Sequence, residues 1–169
     1  MVSIAGVTRP IITNFNRTDR ILLPIINNDL GLWLIRTFAE RKIMSFYGAT
    51  PEVLERFAGQ PEKLAVLKAV YFPHPLEGRR AGFALDMEGF PLIPRYPVER
   101  IAVPTLAVHG TGDGTVPIAH SQFLVDNVPG AQLLSIEGAG HLAIATHKEI
   151  AVTGVLDFLQ KHAPNGRDE

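Results

Sequence analysis

Cysteine is absent from the 169 residues, which excludes disulfides, thiolate nucleophiles and cysteine metal sites together. A reducing compartment suits such a chain, and a cytoplasmic location is expected. Long apolar runs are missing too. The longest, Ile21 to Ile35, is broken by Pro24 and by Asn27-Asn28-Asp29, so no membrane span is expected. The first residues lack the basic start and apolar run of a signal peptide. Charge of one sign is scarce: 16 Lys and Arg stand against 17 Asp and Glu, a net charge of −1, with no basic run of five or more. Neither nucleic acid nor an anionic membrane surface is therefore an expected partner. Internal repeats and low-complexity segments are also lacking. What is present is ordinary: 46% hydrophobic and 20% charged residues, in a chain long enough for one domain with a core.

The most informative stretch is Ile101 to His141, IAVPTLAVHGTGDGTVPIAHSQFLVDNVPGAQLLSIEGAGH. Two short apolar runs, Leu106–Val108 and Leu133–Ile136, each end in a glycine-rich turn. Bounded runs of this kind predict buried strands of a parallel sheet, and Ile118 to Val128 between them predicts a helix. A strand–helix–strand unit returns both strand ends to one edge of the sheet. Asp113 and His141, 28 positions apart, then meet at the rim where α/β sheets place their chemistry. An acid beside a histidine is two thirds of a catalytic triad.

The rest of the chain divides by its punctuation. Met1 to Val7 is a short apolar run closed by Pro10, predicted as a buried strand. From Asn14 to Tyr71 the pattern is helical in pieces. Asp19 caps a short turn over Ile21–Ile26, and Asn28 or Asp29 caps a helix from Leu30 to Phe46 that Gly48 stops. Thr50-Pro51-Glu52 and Gln60-Pro61-Glu62 then open helices over Pro51–Ala58 and Pro61–Tyr71. Short helices with proline starts suggest a cap or lid. Phe72 to Pro97 is crowded with Pro and Gly, leaving room for a turn or two of helix near Gly82–Met87. Arg79-Arg80 there reads as a solvated pair. The core resumes at Val98, the 118–128 helix presents Ala119, Phe123, Leu124 and Val128, and a last helix over Thr146–His162 presents Ile150, Val155, Phe158 and Leu159. The tail from Pro164 is polar.

The order VPTLAVHGTGD, then VP, then VPGAQLLSIEGAGH, then a helix ending in DFL, resembles the C-terminal half of an α/β-hydrolase. The likeness is specific over Val98 to Leu159 and diffuse over the preceding helices. It implies an α/β fold: the C-terminal portion of an α/β-hydrolase parallel sheet with an inserted helical cap. Residues 1–10 would be a remnant core strand, 11–97 the cap and its return connection, and 98–169 the C-terminal part of the core. It also implies that Asp113 is the triad acid and His141 the triad histidine, with a nucleophile upstream of both. The G-x-S-x-G elbow that would carry it is missing. Ser3, Ser45, Ser121 and Ser135 all have the wrong neighbours two positions away, and no G-x-D-x-G replaces it. The upstream His-Gly segment of many members is missing as well. The expectation is a C-terminal half, with strand six at Val2–Val7, that self-associates or pairs with a missing N-terminal half.

Single residues have blander readings. An aspartate in a glycine turn commonly forms an Asx-turn, and a histidine after glycine is commonly just exposed. Their joint position at two strand ends favours the triad. His109 is expected to pack or hydrogen-bond at its strand end, and His74, His120, His147 and His162 to lie on the surface. A metal site from His109, Asp113 and His141 has no ligand spacing behind it, and no cofactor is expected. Gly110 to Thr115 fails the dinucleotide fingerprint, because Thr115 stands where its last glycine belongs. Trp33, Phe38, Phe46 and Tyr47 are candidates to face a substrate. Tyr47, Tyr71 and Tyr96 keep open an epoxide-hydrolase-like variant with an aspartate nucleophile upstream. The expected function is hydrolysis of an ester or similar bond in a small, fairly apolar substrate. The alternatives are a binding or interaction module that has lost its nucleophile and, more distantly, a nucleotide-binding α/β domain.

Overall fold

The computed structural model describes residues 1–10, 17–26, 28–39, 41, 44–45, 49–71 and 80–163. The expectations placed on Phe46, Tyr47, Gly48, His74, Arg79 and the tail from Pro164 lie outside the described residues. The chain forms two compact units, Met1–Thr8 with Tyr96–Glu169, and Arg9–Arg95.

The first unit is built on three parallel strands, β1 (Val2–Ile4), β2 (Leu106–Gly110) and β3 (Gln132–Ile136), in the order β1-β2-β3. Val2 pairs with Leu106 and Ile4 with Val108, while Leu106 pairs with Gln132 and Gly110 with Ile136. The central strand β2 is buried along its whole length, as an apolar run covered on both faces should be. Its side chains alternate. Leu106 and Val108 join Ile136, Ala151 and Phe158 in one core, and Ala107 joins Val98, Leu124 and Val128 in the other. One core is closed by the short helix Ala143–Thr146 and the long helix Lys148–His162, the other by the helix Ala119–Asn127. This is the expected parallel α/β arrangement.

Local differences from the expectations have identifiable causes. β1 stops at Ile4 because Ala5 takes a positive φ of 46°, and Ile4 is exposed rather than buried. The 119–127 helix turns His120, Ser121 and Leu124 inward, so two polar residues occupy the face expected to be apolar, and Ala119 is exposed. In the last helix Ala151 and Phe158 are buried while Ile150 and Leu159 are exposed.

The second unit is helical. Its described helices are Arg17–Ile26, Asp29–Phe38, Pro51–Ala58, Pro61–Tyr71 and Arg80–Gly89, followed by a short 3-10 turn at Phe90–Leu92. The predicted starts at Asn28 and Thr50 are real caps: their side chains accept from Gly31 N–H at 2.7 Å and from Val53 N–H at 3.4 Å. Three segments differ from expectation. The first helix begins at Arg17, so Asp19 lies within it, the second ends at Phe38, and residues 80–89 form a full helix rather than a turn or two. Met44, Val53 and Phe57 are buried, whereas Trp33 and Phe38 are exposed. Phe38 borders a groove of about 610 Å³ with Met44, Leu54 and Leu64. No helix among the described residues is long and apolar enough to cross a membrane.

Candidate active site

The loops that follow β2 and β3 are laced together. Thr111 N–H donates to Ile136 C=O at 3.0 Å, Gly112 N–H to Ala139 C=O at 2.9 Å, and Gly138 N–H to Thr111 Oγ1 at 3.0 Å. Gly110 lets the loops approach. A Cβ placed there would stand 2.2 Å from the Ala139 carbonyl oxygen, so any side chain would force the backbones apart. Gly138 adopts a positive φ of 68°, a conformation costly for residues with a Cβ. Gly112, Gly114 and Gly140 in the same loops have no positive φ.

This lacing brings Asp113 and His141 together. His141 Nδ1 lies 2.9 Å from Asp113 Oδ2. The other carboxylate oxygen, Oδ1, accepts from Thr115 N–H at 2.8 Å and Val116 N–H at 2.9 Å. The Asx-turn and the acid-histidine pair are therefore one arrangement: the turn consumes one oxygen and aims the other at the ring. Burial works against the Asp113 charge. Hydrogen bonds from His109, His141 and the Val116 amide outweigh it and hold the carboxyl well below the usual carboxylate range. Because Asp113 is ionised it accepts only, so Nδ1 of His141 carries the proton. Nε2 of neutral His141 is then a lone-pair base on a ring whose side chain keeps 31% of its exposure.

A second imidazole stands behind the carboxylate. His109, fully buried on β2, places Nε2 at 2.8 Å from Val116 C=O and 3.3 Å from Asp113 Oδ2, and Nδ1 at 2.7 Å from Ser121 Oγ. Burial alone would lower its pKa. The hydrogen bond to Asp113, the Val116 carbonyl and the carboxylate charge outweigh that, and the net shift is upward. Ser121, His109 and Asp113 have the residue types of a triad, but Ser121 and His109 are sealed from solvent and both ring nitrogens are engaged. Ser121 is a structural hydroxyl. Sequence reasoning placed His109 as a hydrogen-bonding residue and missed its serine partner; the signal available was the helical spacing that puts Ser121 on the same face as Leu124. His120 is buried, not on the surface as expected: its Nδ1 accepts from Thr8 N–H at 3.2 Å and its carbonyl from Thr8 Oγ1 at 3.0 Å. His147 is half-buried beside Thr146, and His162 is exposed against Phe158. Among the described residues, no group of three or more His, Cys, Asp or Glu is placed to hold a metal ion.

Comparison with known proteins identifies the fold. The Abhydrolase_4 family model, described as TAP-like protein, matches residues 88–169. The structure resembles the alpha/beta hydrolase fold protein from Nakamurella multipartita with a TM-score of 0.68 and 25% sequence identity, over 93% of this chain and 58% of that one. The chain has the α/β-hydrolase fold. It corresponds to the C-terminal portion of that fold. Among curated proteins, the polyketide synthase ThaQ of Burkholderia thailandensis is 43% identical over 61 residues, 36% of this chain and 3% of that protein. Rhodomycin D methylesterase DauP of Streptomyces sp. (strain C5) is 37% identical over 67 residues, 36% of this chain and 22% of the esterase. The chain thus spans 58% or less of each of these relatives. Within this α/β-hydrolase portion, an acid and a histidine occupy the carboxyl ends of neighbouring parallel strands, where such sheets present ligands.

Proposed function

We propose that this chain contributes the acid and the general base of a Ser-Asp-His hydrolase acting on an ester of a small, fairly apolar substrate. The observation that carries the reading is the 2.9 Å contact between His141 Nδ1 and a buried, four-donor carboxylate, which leaves Nε2 as the base. In the mechanism, Nε2 takes the proton of a nucleophilic hydroxyl as it attacks the ester carbonyl. Asp113 fixes the ring tautomer and stabilises the imidazolium, and Nε2 then returns the proton to the leaving alkoxide. A water activated by the same nitrogen releases the acyl group. The methylesterase among the curated relatives supports an ester as the substrate class. The nucleophile lies outside these residues: Ser121 is spent on His109, and the remaining serines lack an elbow sequence. A segment carrying that elbow would pair with this chain to complete the site.

Two assays test this reading. Residues 1–169 alone should hydrolyse p-nitrophenyl acetate no faster than the His141→Ala variant does. A His141-dependent rate in the isolated chain would overturn the claim that the nucleophile is elsewhere. Joined to a segment supplying a G-x-S-x-G elbow, the chain should gain ester hydrolysis. There Asp113→Asn should lower turnover by about 10⁴, the loss seen when a triad aspartate becomes an amide, while Asp126→Asn on the neighbouring helix serves as control. Should the Asp126 change be the damaging one, Asp113 is not the acid.

A further inference from the structure

His109 carries a role that the acid–histidine pair does not explain. Its Nε2 faces Val116 C=O at 2.8 Å, and a carbonyl only accepts, so Nε2 bears a hydrogen. The same N–H stands 3.3 Å from Asp113 Oδ2, the oxygen that His141 uses. Nδ1 of neutral His109 is then a lone pair, and Ser121 O–H donates to it at 2.7 Å. Every polar atom in this group is assigned: the Ser121 hydroxyl fixes the ring, the ring fixes Oδ2, and the Thr115 and Val116 amides fix Oδ1. Without the ring, Oδ2 would lose its His109 contact and keep only that of His141, and the carboxylate could turn about its Cβ–Cγ bond away from His141.

Resting on the acid–histidine reading above, we propose that His109, seated by Ser121, is the positioning residue of Asp113: its Nε2–H holds Oδ2 in line with Nδ1 of His141. It touches no reacting atom. It acts through the carboxylate, so its removal should show first in the state of the His141 ring.

That state can be read without turnover, by nitrogen-15 NMR of histidine-labelled protein at a pH where His141 is neutral. Wild-type 1–169 should show His141 as the Nδ1–H tautomer. His109→Leu, which removes the donor, and Ser121→Ala, which unseats the ring, should both shift His141 toward an Nε2–H majority. His109→Gln retains an N–H donor and should restore part of the Nδ1–H population. Folding is checked for each variant by the dispersion of its amide spectrum. A folded His109→Leu protein that keeps the wild-type tautomer overturns the proposal. If that variant does not fold, the same result in folded Ser121→Ala overturns it. A wild-type protein with His141 already in the Nε2–H form would overturn the acid–histidine pairing itself, so failure of the underlying reading and failure of this proposal give different spectra.

Discussion

Asp113 concentrates the consequences at the level of single residues. Its carboxylate is buried yet has four donors around it, so its charge is favoured rather than penalised. The neighbouring His109 is shifted the opposite way, toward its cation. The two shifts bound a pH window. A carboxyl lowered by folding contributes in full above the ordinary aspartate value, about 4, and that contribution fades as pH falls below it. An imidazole raised by folding contributes in full below its ordinary value, about 6.5, and fades as pH rises through the raised folded value. Both contributions are complete only between about pH 4 and 6.5. Asp113→Asn removes the first and weakens the second. It also points an amide N–H₂ at the His109 donor, which must keep its proton for Val116 C=O. A donor left facing a donor in a buried site costs about 1–3 kcal/mol. Melting temperatures of wild type and Asp113→Asn should therefore differ most between about pH 4 and 6.5, the gap narrowing on either side. Parallel curves across the range would show that neither shift exists.

The level of elements decides whether the site can exist, since Asp113 and His141 come from different βα loops. The contact between those loops depends on Gly110 at the end of β2, where a Cβ would meet the Ala139 carbonyl at 2.2 Å and Gly140 O at 2.7 Å. Both obstacles are backbone, so no rotamer change relieves them. Gly110→Ala should cost about 3 kcal/mol or more by overpacking and should separate the two loops. Gly114→Ala should stay within about 0.5 kcal/mol, since nothing lies within 4 Å of a Cβ there. Urea unfolding of both variants measures this, and equal midpoints would refute it. The sequence showed β2, β3, the caps at Asn28 and Thr50 and the meeting of Asp113 with His141, because apolar runs, cap residues and glycine turns are local signals. It did not show Gly110's true job, which is a distance to another loop rather than a torsion of its own. It placed Phe123, Leu124 and Val128 on the inward face of the 118–128 segment correctly but put Ala119 there, which is exposed, and missed His120 and Ser121. Hydrophobic periodicity counts apolar residues, and His120 and Ser121 are buried for the hydrogen bonds they make to Thr8 and His109.

For the molecule as a whole, the sheet's edges set the expectation. Three parallel strands leave β1 paired only through β2 among the described residues, with its other row of backbone groups open. Parallel sheets are seldom this narrow, because their strands need cover on both faces and both sides. Nothing in β1 itself protects that edge: Val2, Ser3 and Ile4 carry no charge and no proline, and Ile4 is exposed. The helical unit also exposes apolar side chains, with Phe38 at 77%, Leu30 at 68% and Trp33 at 55%. Edges and apolar faces of this kind attract whatever matches them. At working concentrations the nearest match for isolated 1–169 is a second copy, joined edge to edge at β1. The isolated chain is therefore expected to sediment heavier than its 18.5 kDa and to bind a hydrophobic dye. Two perturbations separate the edge from the apolar faces. Met1 C=O and Ala5 N–H bond β2, so the alternate residue Ile4 turns its N–H to the open side. Ile4→Pro removes that donor and Ile4→Lys places a charge on the edge, and either should return the sedimentation toward monomer while leaving much of the dye binding. Addition of a segment that supplies both the nucleophile elbow and a neighbouring strand should suppress association and dye binding together. A monodisperse, dye-silent monomer with one sharp unfolding transition would show instead that β1 needs no further strand. In that outcome the chain stands as a domain by itself, and a binding module displaces the hydrolase reading.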